Sequence, residues 1–139
     1  MLQEVLDQIR LYPFKINKHM KLLQEMLESN SYKDDIQNSY IPKIGYICLL
    51  GDQPLAAGFL RRVECDVVAQ IDGLTSNKAF GSILRHQAID MIVDQLIIEA
   101  KALEIQGLMA FTHDEGVLKR AKNRGFNILG EKLISISFK

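Results

Sequence analysis

Phe80, Ile83, Leu84, Ala88, Met91, Ile92, Gln95 and Ile98 recur at the three- and four-residue steps of an α-helix. The segment carrying them lies between two short apolar runs, Val67–Ile71 and Gly107–Thr112. Few folds accept that order. A helix joining two strands of one sheet crosses over right-handedly and leaves the strands parallel. Gly107–Thr112 is therefore expected to lie parallel to Val67–Ile71. Thr75, Ser76 and Asn77 are N-cap residue types ahead of the helix. Gly81 is a point where the region can divide into a short helix and a longer one. Glu104-Ile105-Gln106-Gly107 closes it, with Gly107 as the expected C-cap.

The middle of the chain reads as an antiparallel meander. Ile44–Leu50 is a compact apolar run, and Gly51-Asp52-Gln53-Pro54 is hairpin chemistry, with glycine supplying positive φ and proline ending the pairing. Leu55–Val63 is the return strand, where Gly58 marks a bulge or a close backbone approach. Glu64-Cys65-Asp66 turns into the third strand, Val67–Ile71. Upstream, Ile16, Met20, Leu23 and Leu27 share one face of a helix over Lys15–Ser29. The first dozen residues suit either a strand or a helix and end at Pro13. Tyr32–Tyr40 is polar, a short helix or a loop. Downstream, a basic helix spans Asp114–Asn123 and stops at Gly125. Leu133, Ile134, Ile136 and Phe138 alternate with serines in a closing strand.

The 139 residues fit a single domain, 1–139, in which roughly two thirds of the unfolded surface can be buried. The 17 basic and 17 acidic residues cancel, which argues against nucleic acid as the main partner. Cys48 and Cys65 stand in apolar, strand-like surroundings without metal-ligand spacing, as in a reduced, cytoplasmic protein. The N-terminal residues are too acidic for a signal peptide, and no run of ~20 apolar residues is present to span a membrane. The histidines and cysteines show no metal-site spacing, and neither a Gly-x-Ser-x-Gly elbow nor a Gly-x-x-x-x-Gly-Lys-Ser/Thr loop occurs.

From about Ile44 to Phe138, the order of meander, helix, strand, helix and strand, with Gly125-Phe126 before the last strand, resembles a GNAT-type acyl-CoA transferase domain. The resemblance implies an α/β fold: a mixed, mostly antiparallel sheet with one parallel pair that splays, flanked by helices. It implies acetyl-CoA as substrate, its pantetheine arm in the splay against the backbone of Val68, Ala69, Gln70 and Ile71. Its pyrophosphate would lie on amides at the start of the central helix. The family's loop, Arg/Gln-x-x-Gly-x-Gly/Ala, maps onto Lys78, Gly81 and Ser82. Ile83 stands where the second small residue belongs, an erosion similar to that of divergent, phage-encoded GNAT-like proteins. A second family motif maps its asparagine onto Asp114 and its thiolate-protonating tyrosine onto Ala121. Alanine cannot donate a proton, and such help is typically worth ~10²–10⁴ in rate.

Asp72 is placed to act as general base for an amine acceptor, directly or through water; it also suits a turn ahead of Gly73. His113, after the strand on the opposite wall, can shuttle protons or simply neighbour a helix cap. His86 reads as a solvated helix face beside Arg85, and His19 as surface. Lys119, Arg120, Lys122 and Arg124 suit either the 3′-phosphate of CoA or a solvated helix end. The resemblance implies acyl-CoA-dependent N-acyltransfer, with acetyl as the group, by direct attack of an amine on the thioester. A non-catalytic GNAT-like structural or interaction protein, such as a phage virion component, is the rival, and a small-molecule sensor is a third class. Exposed sheet edges allow a homodimer or larger assembly.

Overall fold

A computed structural model describes residues 1–30, 41–63, 67–111, 115–128 and 133–138. The elements run α1 (Leu2–Leu6), β1 (Ile9–Pro13), α2 (Ile16–Ser29), β2 (Ile44–Leu50), β3 (Gln53–Arg62), β4 (Val68–Ser76), α3 (Ser82–Ala102), β5 (Gly107–Phe111), α4 (Glu115–Asn123), β6 (Asn127–Ile128) and β7 (Leu133–Ser137). Both readings of the N-terminus hold in part: a one-turn helix precedes a strand. The strands form one sheet in the order β1-β2-β3-β4-β5-β7-β6. Every pairing is antiparallel except β4 with β5. The crossover predicted from the Phe80–Ile98 periodicity is α3.

Each face of the sheet carries its own core. On one, Ala88, Ile92, Leu96 and Ala100 of α3 repeat every fourth residue and are wholly buried with Cys48, Ala69 and Leu108. Ala121 of α4 and Phe126 belong to the same cluster. On the other face Leu23 and Met26 of α2 pack with Phe14, Ile47, Ala57 and Phe59. Cys48 donates to the Ala88 carbonyl at 3.5 Å, and burial pushes its thiol up to about 12, so it stays protonated.

Several local expectations change. Thr75 and Ser76 continue β4, while Asn77 turns the chain, its Oδ1 accepting from the Ala79 amide at 3.0 Å. The helix starts later, at Ser82, with Gly81 as N-cap. Its end uses Glu104 at φ +60°, and Gly107 opens β5 instead. Pro54 pairs with Leu49 beside a register shift, where its missing N–H is tolerated. Gly58 fulfils both of its readings. It lies at a register shift facing β4, and a Cβ there would meet Leu74 Cδ1 at 2.8 Å and Ile92 Cγ2 at 2.9 Å. The readings on Tyr32–Tyr40 and Glu64-Cys65-Asp66 lie outside the described residues.

His19 is 4% exposed, not at the surface. Its Nδ1 accepts the Lys15 amide at 2.9 Å, and Phe14 lies 5.6 Å away, ring to ring. That bond needs a neutral ring nitrogen. Burial, then Lys18 and Lys15, hold its pKa below the usual 6.5. The folded protein thus binds fewer protons than the unfolded chain between the lowered value and 6.5. This contribution to stability is complete above 6.5 and lost as pH falls through that window. Thermal melts from pH 7.5 downward are expected to show the loss, and His19→Gln is expected to flatten the slope. An unchanged slope in the variant would assign the acid sensitivity elsewhere.

Candidate functional site

The site begins where the parallel ladder stops. β4 and β5 pair as Val68↔Gly107, Ala69↔Leu108 and Gln70↔Met109. β4 then continues to Ser76 and β5 to Phe111 without pairing to each other. Antiparallel β3 steers β4 away. Ala57 faces Thr75 and Phe59 faces Asp72, so Gly58 alone spans Gly73 and Leu74, a bulge in which Gly73 takes φ +62°. Bulged strands bend and twist more strongly, which opens the gap.

Two adjoining cavities occupy the α3–α4 side of the gap. The outer, of about 320 Å³, is bounded by Leu74–Ser76, Asn30, Lys78, Arg85, His86 and the start of α4. The inner, of about 30 Å³, is lined by Ile71, Ala110, Val93, Ala121 and Phe126 among others. Leu74, Ile89, Val117 and Arg120 line both. The outer cavity is cationic and polar, and the inner is apolar.

Arg85 was not singled out from the sequence. It lines the outer cavity, and its Nε is buried without a hydrogen-bond partner among the described residues. Helical periodicity alone cannot reveal this, because the neighbouring wall comes from β4 and α4. Among the described residues no side chain caps the first turn of α3, leaving its leading amides to face a ligand or water. The preceding loop differs: the amides of Lys78, Ala79 and Phe80 already donate to Ser29 Oγ, Asn77 Oδ1 and the Asn77 carbonyl.

Of the sequence-derived cofactor residues, Lys78 lines the outer cavity. Gly81 and Ser82 stand at the exposed start of α3, and the space before Gly81 is open to 4 Å. Val68, Ala69 and Gln70 lie in the ladder with β5, so Ile71 is the first of that stretch beyond it. Asp72 is not in a turn but within β4, opposite Phe59 and therefore on the α2 face. Arg61 Nε donates to its Oδ2 at 2.7 Å. His113 and Asp114 lie outside the described residues. Arg120 and Arg124 face α3 rather than solvent: Arg120 reaches Asp90 at 2.6 Å, and Arg124 reaches Asp90 at 3.1 Å and Asp94 at 2.8 Å. This network clasps α4 to α3 across the inner cavity, and the two aspartates raise the Arg124 pKa despite its partial burial.

Among the described residues no three His, Cys, Asp or Glu side chains gather as metal ligands, and no helix is long and apolar enough to cross a membrane.

A mixed sheet with a splayed parallel pair beside its crossover helix is the GNAT acetyltransferase fold, and this chain has it. Over 94% of its length it superposes on an N-acetyltransferase from Staphylococcus aureus Mu50, covering 99% of that chain at 10% identity and TM-score 0.74. Rv2747 from Mycobacterium tuberculosis, in complex with CoA and NLQ, matches 94% of this chain over 99% of its own at 13% identity and TM-score 0.73. N-acetylglutamate synthase from Neisseria gonorrhoeae, complexed with coenzyme A and N-acetyl-glutamate, matches 94% at 12% identity and TM-score 0.70, with this chain spanning 35% of it. No protein-family model and no curated protein matches the sequence.

Proposed function

We propose that the chain is an acyl-CoA-dependent N-acyltransferase, transferring a short acyl group to an amine. The observation carrying this reading is the end of the ladder at Gln70↔Met109, opening onto a cleft that is cationic outside and apolar within. An acyl-CoA complements it along its length, anionic at its phosphates and apolar at its acyl end. Its phosphates would meet Lys78, Arg85 and the open amides of α3, and its pantetheine would lie along Ile71–Ser76 rather than Val68–Gln70. Backbone groups just beyond the last paired residues, near Ile71, would polarise the thioester carbonyl.

In that arrangement the amine approaches from the α2 face. Its nitrogen bonds to the carbonyl carbon, the C–S bond breaks, and the electron pair leaves on sulfur. The amine proton passes to Asp72 through water, with Arg61 orienting the carboxylate; His113 is the other sequence-derived candidate. Solvent protonates the CoA thiolate, since Ala121 offers no acid. Acetyl is the acyl group expected from the sequence.

The rival, a non-catalytic module that keeps the fold, is favoured by Ala121 and by the internally bonded amides of Lys78–Phe80. Thermal denaturation separates the two. CoA or acetyl-CoA at 100 times its dissociation constant is expected to stabilise the protein by ~2.7 kcal/mol, a rise of several degrees in Tm. No rise at millimolar acetyl-CoA would favour the rival.

A further inference from the structure

The inner cavity sits at the closed end of the gap. Ile71 and Ala110, which line it, directly follow the last paired residues, Gln70 and Met109. The outer cavity reaches Ser76 at the open end. Ile71 to Ser76 is about 17 Å of strand at ~3.3 Å per residue, comparable to an extended pantetheine arm. A CoA held by its phosphates at Lys78 and Arg85 therefore brings its thioester to the inner cavity.

The cavity selects for apolar content. Ile71, Leu74, Ile89, Val93, Ala110 and Phe126 present hydrocarbon. Arg120 and Arg124 reach it, but their charged ends are held by Asp90 and Asp94. Its volume of about 30 Å³ is that of roughly two water-sized spheres, enough for one or two methylene groups. The small side chain of Ala121 keeps it open; a residue of ordinary size there would fill it.

We infer that this cavity receives the acyl chain, so that the donor is a short acyl-CoA one methylene longer than acetyl, propionyl-CoA, whose two carbons beyond the carbonyl match the space. This rests on the acyltransferase reading and gives it a donor class. The transfer is unchanged: the new N–C bond replaces C–S, the amine proton goes to the base, and sulfur leaves with the electron pair. Each buried methylene is worth about fourfold in affinity, from ~0.8 kcal/mol of transfer free energy.

The test is calorimetric titration of the whole chain with free CoA, acetyl-, propionyl-, butyryl- and succinyl-CoA. Affinity is expected to rise about fourfold from acetyl to propionyl and no further at butyryl, with succinyl-CoA weaker than propionyl-CoA. Ala121→Val and Ala121→Leu are expected to reduce the propionyl-to-acetyl affinity ratio toward one. That ratio, taken within each variant, is not moved by a general loss of CoA binding. Equal or tighter binding of acetyl-CoA overturns the inference, as does succinyl-CoA as the tightest ligand or a ratio unchanged in both variants. Should neither variant fold, the wild-type gradient decides alone. Failure of free CoA to bind wild type would sink the acyltransferase reading itself. Binding of free CoA without a chain-length gradient would sink only the donor assignment.

Discussion

Phe59→Ala is expected to destabilise the fold by about 3–5 kcal/mol and to weaken acyl-CoA binding with it. The ring is 2% exposed and meets Phe14 edge-on at 4.9 Å. It also fills space that two side chains would otherwise claim. A Cβ at Gly45 would stand 2.3 Å from its Cδ1, and one at Gly73 3.0 Å from its Cδ2. Two bare backbones cannot collapse into the vacated volume, which places the cost in the upper part of the range. Gly73 is the bulge residue that turns β4 from β5, so the ring also braces the gap. Urea denaturation should show a lower midpoint at unchanged slope. Calorimetry with acetyl-CoA, at a temperature where the variant is folded, should show weaker binding. A loss below about 1 kcal/mol, smaller than the range for removing a core phenylalanine, would mean that the strands close over the void and do not rely on the ring.

The strands and helices were legible where burial is one-sided or complete. Ile44–Leu50 is buried or half-buried throughout, and the parallel β4–β5 pair follows from the crossover between them, although Ile83 and Ile98 of the expected α3 stripe are exposed and Leu96 and Ala100 are buried instead. Ends were less legible because they depend on partners distant in sequence. Asp72-Gly73 looks like a turn, yet β3 continues to pair through it and converts the glycine into a bulge inside a longer strand. Thr75-Ser76-Asn77 has cap chemistry, but the sheet claims the first two. β6 was not anticipated: Asn127–Ile128 is only two residues long and exists through its pairing with β7.

The site was legible in outline and not in its charges. The splay and Lys78 follow from resemblance and topology. The roles of the arginines do not. Arg120 and Arg124 look like a free cationic patch until Asp90 and Asp94 are seen opposite them, thirty residues earlier in sequence. His19 has the local setting of a surface residue, yet it is buried, with Phe14 beside its ring and the Lys15 amide on its Nδ1.

Arg85 is where stability and binding are expected to move in opposite directions. Among the described residues the Arg85 Nε has no hydrogen-bond partner, and a buried guanidinium nitrogen left so costs about 1–3 kcal/mol of desolvation. The cost persists because the group stands in a cleft with an uncapped helix start, where an anion would satisfy it. Arg85→Met keeps the side-chain stem and removes the unmet donor, so the unliganded protein should be unchanged or more stable. Arg85→Glu should reduce acyl-CoA affinity about 100-fold, near 2.7 kcal/mol, because it removes one favourable charge and adds a repulsive one beside the phosphates. Thermal melts of both variants without ligand, and titrations with CoA and 3′-dephospho-CoA, measure the two effects separately. If Arg85 contacts the 3′-phosphate, the variants should discriminate less between the two ligands than wild type does. If it contacts the pyrophosphate, both affinities should fall together. A purely structural arginine would give the reverse pattern, with lower melting temperatures and CoA affinity unchanged in the variants that fold.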